Sequence, residues 1–512
     1  MEVDQAVPQA FQAHYMRSAT ECEDALQAAK DKAEVLALAG VMYVNCMLSE
    51  VERTALTKLA AKLAGVNYRD LKKDLEAANG SVPLEPKRDH LALAREAIDA
   101  LGDQALIFYK KEFWRWSDKG VWQLAEEQEV RRAAIDAISA SEPVTDAVVR
   151  SVSALMRDVA HRSGTEFDRP ADRRINCPNG TLEYVGGEWH LREHRRGDYL
   201  TSQVPVAYDP GAICPRFDRF LSEIFEGDED AEDKVQAVLE MMGYSLIQSC
   251  RLEKFVVLIG RGANGKSVLL EVVRHLVGPD QASAVEPARL GEGFQRAHLR
   301  GKLVNIVPEL PVGAKLADGA MKAFASGDPV NGEFKGRDSF EFVPYATFWM
   351  GTNHMPHTRD LSDGMFRKAL IIKFNRQFGA GEREIGLAEK LRAELPGILV
   401  KALHALGTAL DRGYITSPAS SQAALQQWRT ESDQVAMFIE DRCTLDPGAG
   451  PTPTRVLLNA YKAWAADWNH QCTVAGPEFG KRLTELGLKP GRPYFEGKQE
   501  RAFFGIDLKR PG

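Results

Sequence analysis

The chain has 512 residues, an apolar content of 44% and a formal net charge of −7. This length and composition allow several packed domains and exclude a globally disordered chain. Because the net charge is negative, binding of nucleic acid through bulk charge is excluded, and any such contact needs a locally basic surface. Its seven cysteines are scattered and form no Cys-x-x-Cys pair, which argues against a zinc ribbon or disulfide framework and favours a reducing, cytoplasmic setting.

The N-terminal part of the chain predicts helices and no membrane segment. Its first residues lack the basic-then-apolar order of a signal peptide. The most apolar stretch, residues 35–48, is too short to cross a bilayer and predicts a buried helix. Apolar positions recur at helical spacing from about residue 20 to 78, so we predict a helical N-terminal segment over residues 1–79, followed by a Gly- and Pro-containing linker.

Mixed signals between residues 90 and 212 predict an α+β accessory domain. Residues 113–122, Phe-Trp-Arg-Trp-Ser-Asp-Lys-Gly-Val-Trp, predict two strands joined by a turn. Asn179-Gly180, followed by Gly186-Gly187, predicts a second hairpin. The aromatic side chains beside Lys and Arg have two interpretations, since they can stack on single-stranded bases or form the apolar face of a small sheet.

A short acidic run, Asp228-Glu229-Asp230, precedes a predicted helix over residues 232–250. Acidic side chains are favourable near the positive end of the helix dipole. We therefore interpret the run as a solvated helix N-terminus and not as a metal site.

A phosphate-binding loop is the strongest functional signal. Residues 255–259, Phe-Val-Val-Leu-Ile, predict a strand buried on both faces, and helical spacing follows from residue 268 to 277. This strand, loop and helix order is the context that the Gly-x-x-x-x-Gly-Lys-Ser motif requires. We expect the loop amides to hold the phosphates of ATP, Lys266 to neutralise β- and γ-phosphate charge, and Ser267 to ligate Mg²⁺. The predicted nucleotide-binding residues are Gly260, Arg261, Gly262, Ala263, Asn264, Gly265, Lys266 and Ser267.

Three polar residues near the ends of later apolar strands are candidates for catalysis. Glu309 follows the apolar run 302–307, where a carboxylate can orient the attacking water and contact the Mg²⁺ shell. Asn353 follows the run 346–351, where an amide can contact the γ-phosphate. Arg367 precedes the run 369–374 and is a candidate arginine finger for a neighbouring subunit. In isolation, Asn353 is also compatible with a turn residue and Arg367 with a surface ion pair.

The last 80 residues predict a separate unit. Helical patterns near residues 435–442, 454–468 and 479–486 precede a hairpin-like tail. This order favours a winged-helix-like domain over residues 432–512. Its end is locally basic, which is compatible with DNA binding or with an ordinary solvated surface.

Read together, these segments resemble the superfamily III helicases, and more closely the phage/plasmid-type primase-helicase family. The resemblance follows the family's motif order: the P-loop, the single-Glu Walker B segment 303–310, the intermediate segment 321–328, the sensor 352–356 and the arginine element 366–368. It implies an α/β P-loop, AAA+-like ATPase core over residues 213–415, flanked by the helical segment and accessory domain on one side and the winged-helix-like domain on the other.

By this resemblance, the chain is an ATP-dependent DNA helicase that replicates a phage, plasmid or integrated element in the cytoplasm of a bacterial host. The implied cofactors are ATP and Mg²⁺. The implied partners are single-stranded DNA, further copies of the chain in a hexamer, and a separate primase or replication initiator. A DNA-contacting hairpin would lie in residues 330–338, with Lys335 and Arg337 on phosphates and Phe334 on a base.

Two departures and two alternatives accompany this reading. Residues 1–90 hold no zinc-type cysteine set and no convincing pair of metal-binding acids, so the sequence does not decide whether priming activity resides in this chain. Pro308 precedes Glu309 where a second acid would support the Mg²⁺ site. The first alternative is an ATP-binding origin-recognition or loading scaffold without processive unwinding. The second, a P-loop kinase or GTPase, is disfavoured because no Asn-Lys-x-Asp motif occurs.

Overall fold

The structure of the protein is a computed structural model, which describes residues 18–45, 48–81, 89–102, 105–140, 143–168, 173–336, 338–379, 381–467 and 474–509. It divides into two compact units, one of residues 1–100 with 128–159 and one of residues 101–127 with 160–512. The four domain boundaries given above stay predictions. Within the described part of the chain, no helix combines the length and apolar character needed to cross a membrane.

The first unit is helical. Ser18 and Ser49 each begin a helix through a capping box, with Glu21 and Glu52 as the reciprocal partners, which satisfies amide groups that a helix start otherwise leaves without acceptors. Gly65 ends a helix in the left-handed region, at φ +62°. The helices are α1 (Ala19–Ala28), α2 (Lys32–Asn45), α3 (Glu50–Ala64), α4 (Tyr68–Ser81), α5 (His90–Ala100), α6 (Glu127–Ser139) and α7 (Asp146–Ala160).

Two small antiparallel sheets belong to the second unit, and both predicted hairpins are confirmed. In the first sheet Trp116 pairs with Trp122 across the turn. In the second, Gly186 and Gly187 form the turn at φ +63° and +89°, which side chains resist. The strands are β1 (Leu106–Tyr109), β2 (Glu112–Trp116), β3 (Trp122–Leu124), β4 (Arg174–Cys177), β5 (Gly180–Val185) and β6 (Glu188–Arg192).

A larger parallel sheet forms the centre of the second unit. The elements of this region are α8 (Pro215–Ile224), α9 (Ala231–Tyr244), β7 (Phe255–Ile259), α10 (Lys266–Val277), β8 (Ala282–Ser283), α11 (Gly293–Ala297), β9 (Val304–Val307), α12 (Asp318–Ser326), β10 (Val330–Gly332), β11 (Phe340–Phe342), β12 (Thr347–Thr352), α13 (Asp363–Phe366), β13 (Ala369–Lys373), α14 (Leu387–Ala393), α15 (Leu395–Arg412) and α16 (Ala419–Ser432).

Five of these strands are hydrogen-bonded in the order β13-β7-β12-β9-β8, and every pairing is parallel. Alternate residues of β7 enter two different cores: Val256 and Leu258 pack on one face, Phe255 and Val257 on the other. A strand covered on both faces has no polar side to show, which explains its continuous apolar sequence. The predicted buried strand at residues 255–259 is confirmed.

The acidic run before α9 is not the solvated helix start that its sequence predicted. Lys234 is fully buried, and its ammonium group lies 2.8 Å from Asp228 and 3.6 Å from Asp230. The same group donates to the carbonyl oxygen of Lys373 in β13. Asp230 also accepts from the amide of Ser420 at the start of α16. The run therefore neutralises a buried cation and ties α9 to the sheet and to α16.

We expect Lys234→Ala to lower the free energy of unfolding by about 3–5 kcal/mol, because it removes one partner of a buried ion pair and leaves Asp228 without its cation. Lys390→Ala is the matched control, since that lysine is exposed and pairs only with Glu384 in the described structure; its cost should stay below about 1 kcal/mol. Equal losses in chemical denaturation would contradict the role of Lys234.

The C-terminal elements follow the predicted order of helices and then a hairpin. Phe438, Tyr461 and Phe479, one from each helix, pack their rings together in the core. Exposed Tyr494 lies in the small hairpin that follows. The elements are α17 (Gln434–Arg442), β14 (Cys443–Leu445), β15 (Thr452–Pro453), α18 (Thr454–Asp467), α19 (Gly476–Glu485), β16 (Lys489–Gly491), β17 (Tyr494–Phe495), β18 (Lys498–Gln499), β19 (Ala502–Phe504) and β20 (Ile506–Leu508).

Candidate nucleotide-binding and hydrolysis site

The Gly-rich loop joins the carboxyl end of β7 to the first residue of α10. Gly265 adopts φ +88°, and a Cβ there would lie 2.6 Å from the Ile224 side chain. A Cβ at Gly260 would lie 2.4 Å from the carbonyl oxygen of Phe374. Gly265 is therefore required by backbone conformation and by close packing, and Gly260 by close packing alone. The open end of the loop, Arg261, Gly262 and Ala263, is exposed.

Lys266 is held inside this loop. Its ammonium group donates to the carbonyl oxygen of Gly260 and, at 3.3 Å, to Oδ1 of Asn264. Burial of the side chain lowers the pKa of Lys266, while the nearby negative charge of Glu309 opposes that shift. The lysine is thus placed where the loop would receive a phosphate, with a carboxylate within electrostatic reach. Ser267, the next residue, is exposed at the start of α10.

Strand pairing brings Glu309 and Asn353 to the carboxyl ends of the strands, where the loop also lies. The amide of Gly260 donates to the carbonyl oxygen of Thr352 at 3.2 Å. The amide of Leu310 donates to the carbonyl oxygen of Gly351 at 2.8 Å. These bonds join the ends of β7, β12 and β9 directly, and the side chains of Glu309 and Asn353 are exposed there.

Arg367 lies at the opposite ends of the strands from the loop. It directly follows α13 and precedes β13, which runs parallel to β7, so it lies beside the amino ends of the strands, whereas the loop lies at their carboxyl ends. Its side chain is 66% exposed, and its guanidinium lies 3.4 Å from Glu253. The structure therefore separates Arg367 from the loop of its own chain.

The hairpin that was predicted to contact DNA is formed by β10 and β11, with Val330 opposite Phe342 and Gly332 opposite Phe340. The ring of Phe334 stacks on Phe340 at 5.1 Å between centroids. Lys335 is exposed at the tip. Arg337 lies outside the described residues.

Oxygen donors of the loop suit a hard cation. The Ser267 hydroxyl and the Glu309 carboxylate are both exposed near the loop, and Mg²⁺ is usually held by one or two such groups with water and substrate phosphates completing its shell. No cluster of three or more His, Cys, Asp or Glu with metal-binding geometry occurs among the described residues. The donor set thus fits a Mg²⁺ ion that arrives with the nucleotide.

Sequence patterns did not reveal one further part of the site. The amide of Phe378 donates to the carbonyl oxygen of Ala263 at 2.8 Å, and Gln377 donates to that of Gly262 at 3.3 Å. These residues follow β13 and hold the exposed end of the loop from outside. No motif marks them, because their contribution depends on the position of β13 beside β7.

Three family models match parts of the chain. Residues 258–368 match a family of unknown function, DUF5906, and this range contains Lys266, Glu309, Asn353 and Arg367. Residues 94–226 match the model described as D5 N terminal like. Residues 430–506 match the model described as Poxvirus D5 protein-like.

A curated relative is the putative helicase L207/L206 of Acanthamoeba polyphaga mimivirus, which is 27% identical over a region that covers 30% of this chain. The chain spans only 18% of the length of that relative. Among solved structures, the A form of the apo NrS-1 C-terminal region has a TM-score of 0.45 at 12% identity, covering 82% of this chain and 99% of that one. A second apo structure of the same region has a TM-score of 0.43 at 10% identity and covers 82% and 99%.

The D5-type matches flank the loop-containing core, one on its amino-terminal side and one on its carboxy-terminal side. A region covering 30% of the chain also matches the putative helicase. Together these matches support a relationship with a D5-like primase-helicase family.

Proposed function

We propose that the protein is an ATP-dependent DNA helicase of superfamily III type, with an AAA+-like core, acting in replication of a phage, plasmid or integrated mobile element. The observation that carries the proposal is the meeting of the loop, Glu309 and Asn353 at one edge of the parallel sheet. A phosphate-binding loop alone supports nucleotide binding. A carboxylate and an amide beside it support hydrolysis, because they can orient a water against the γ-phosphate.

The position of Arg367 supports an oligomeric enzyme. An exposed arginine at the amino ends of the strands does not reach the loop of its own chain, but it can contact a nucleotide bound at the loop of a neighbouring subunit. Such a contact completes each site only at a subunit interface, and head-to-tail interfaces of this kind form a ring when the rotation between subunits closes. We propose a homo-hexamer in which Arg367 stabilises the negative charge that develops on the neighbour's γ-phosphate.

The β10–β11 hairpin supplies the proposed link to DNA. It follows α12 and directly precedes the amino end of β12, and β12 runs from there to Asn353 at its carboxyl end, so this strand connects the hairpin with the hydrolysis site. Exposed Lys335 would contact a backbone phosphate, and Phe334, stacked on Phe340, would contact a base. In this proposal Arg337 adds a second phosphate contact.

The test is ATP hydrolysis and strand separation by the full-length chain, with and without single-stranded DNA. We expect hydrolysis to rise several-fold with DNA and to fall as salt is increased, since counterions released from phosphates drive this binding. Hydrolysis that is indifferent to DNA, in a chain that stays monomeric with ATP, would overturn the proposal.

A second candidate function is an ATP-binding scaffold that recognises or loads an origin, favoured by the exposed basic hairpin of the C-terminal elements, with Lys489, Arg492 and Lys498 exposed beside Tyr494. In this reading those elements form a winged-helix-like domain. The two candidates differ in whether hydrolysis is needed.

The variant Glu309→Gln distinguishes the helicase from the ATP-binding scaffold. The amide keeps the size of the carboxylate but cannot act as a base, so we expect ATP binding to persist while hydrolysis falls about 100-fold. For a motor, DNA unwinding should fall in parallel. A scaffold would keep its DNA-loading activity with ATP bound, and this result would favour the second candidate. Nucleotide binding measured by calorimetry and unwinding of a forked duplex report the two quantities.

A further inference from the structure

A cavity of about 460 Å³ lies at the amino ends of the parallel strands. Its wall includes Glu253 before β7, Gly301 before β9 and Tyr345 before β12. The phosphate-binding loop follows the opposite end of β7, and five residues of strand span about 16 Å. The cavity is therefore separate from the nucleotide-binding loop of the same chain.

One wall of the cavity is aromatic. The rings of Trp114 and Phe167 lie 4.6 Å apart between centroids, and Tyr109 meets Phe167 edge-on at 5.4 Å. The Nε1 group of Trp114 is buried and has no hydrogen-bond partner among the described residues. A buried donor without an acceptor is costly and rare. A planar ligand that stacks on this wall and offers an acceptor would satisfy it.

Another wall is polar and tightly built. The carboxylate of Asp168 accepts from the amide of Thr201 at 2.8 Å and from its hydroxyl at 2.7 Å. Gln248 lies 3.5 Å from the hydroxyl of Tyr345 and completes this network. Asp168 adopts φ +62°, a strained conformation that its surroundings must hold. Burial raises the pKa of Asp168 to about 6, and the hydrogen bonds from Thr201, Gln248 and Tyr345 act against that rise.

The charges of the lining do not favour a strongly anionic ligand. Lys110, Arg251 and Arg300 face four acidic side chains in the described lining. Arg300 is also held by both oxygens of Glu112. A triphosphate would meet repulsion from the acids, whereas a ligand with one phosphate at the rim, near exposed Lys110, would not.

We propose that this cavity binds a single nucleobase that carries an exocyclic amino group, as in cytosine or adenine, presented by a mononucleotide or by single-stranded DNA. The base stacks on the Trp114–Phe167 wall, its amino group donates to a carboxylate such as Asp168, and a ring nitrogen or carbonyl accepts from Trp114 Nε1. Its phosphate reaches Lys110 at the rim. This site needs no ATP hydrolysis and is separate from the phosphate-binding loop of the same chain.

The test uses the full-length chain carrying Lys266→Ala, which removes binding at the phosphate-binding loop. Calorimetry with deoxycytidine, deoxyadenosine and thymidine monophosphates should show saturable binding of the first two and about tenfold weaker binding of the third. Trp114→Phe keeps a stacking surface and removes the indole donor, and should weaken binding about tenfold. Trp116→Phe is the matched control, because this tryptophan lies on the same strand but outside the cavity lining.

Short oligodeoxycytidylate and oligothymidylate form a second arm that identifies the source of the base. Tighter binding of the cytidylate than of its monophosphate assigns the site to DNA if Trp114→Phe weakens it and Trp116→Phe does not. Equal or weaker binding of the cytidylate assigns the site to a free nucleotide, and both results support the proposal. Asp168→Asn, whose side chain tolerates the left-handed backbone, should abolish the preference over thymine. Absence of saturable binding, or equal effects of Trp114→Phe and Trp116→Phe, would overturn the proposal without bearing on ATP hydrolysis.

Discussion

Lys266→Ala is expected to reduce ATP hydrolysis by at least about 1000-fold and to abolish unwinding with it. The ammonium group of Lys266 is held within the loop by the Gly260 carbonyl oxygen and Asn264, so it is already oriented toward the position that the β- and γ-phosphates would take. Alanine removes the only side-chain cation that the described loop buries there. Hydrolysis should be measured by phosphate release at saturating ATP.

Loss of the fold must be separated from loss of chemistry in this variant. Alanine removes a buried ammonium group, whose pKa burial lowers, together with its hydrogen bonds to Gly260 and Asn264, so the unfolding midpoint must be measured beside the rate of hydrolysis. Lys390→Ala removes an exposed lysine with a single described carboxylate partner and should hydrolyse ATP at the normal rate. Unwinding by Lys266→Ala at the rate of the unmodified chain would refute the motor.

The central sheet and its edges were largely predictable, because buried parallel strands leave an unusual signature. The runs before the loop, before Glu309, before Asn353 and after Arg367 are continuous apolar segments, and each appears as a strand in the structure. Their parallel arrangement then follows from the intervening helices. The positions of these residues next to strand ends were therefore predictable, although the sequence alone did not show which of them would lie together in space.

Features made by distant segments were not predictable. Lys234 reads as one more helix-surface cation, yet it is completely buried, and its ammonium group donates to the carbonyl oxygen of Lys373 at the end of β13. Gln377 and Phe378 have no motif and reach the loop only because β13 neighbours β7. The aromatic wall at Trp114 and Phe167 joins residues 53 positions apart in sequence, a separation that periodicity cannot bridge. The two interpretations of these aromatic side chains, stacking on bases or forming the apolar face of a small sheet, could be compared only because the structure shows that Trp114 lines a cavity.

Arg367→Ala is expected to lower ATP hydrolysis by about 1000-fold or more, the usual effect of losing an arginine finger. Arg455→Ala is a close control, because that side chain is 69% exposed against 66% for Arg367, and each has one described carboxylate partner, Glu500 and Glu253. An exposed ion pair of this kind contributes little to stability. If Arg367 has only that structural role, the two variants should hydrolyse ATP alike.

Mixing two inactive variants distinguishes action on a neighbour from action within one chain. In a ring, a site works when the subunit that supplies the loop retains Lys266 and the adjacent subunit retains Arg367. Random assembly of Arg367→Ala with Lys266→Ala subunits in equal amounts restores this combination at about one interface in four, so about a quarter of full activity should return. Within one chain, neither variant has both residues, and the mixture would stay inactive. Recovery of ATP hydrolysis therefore requires that Arg367, at the amino ends of the strands in one subunit, acts on the nucleotide at the phosphate-binding loop of the next subunit.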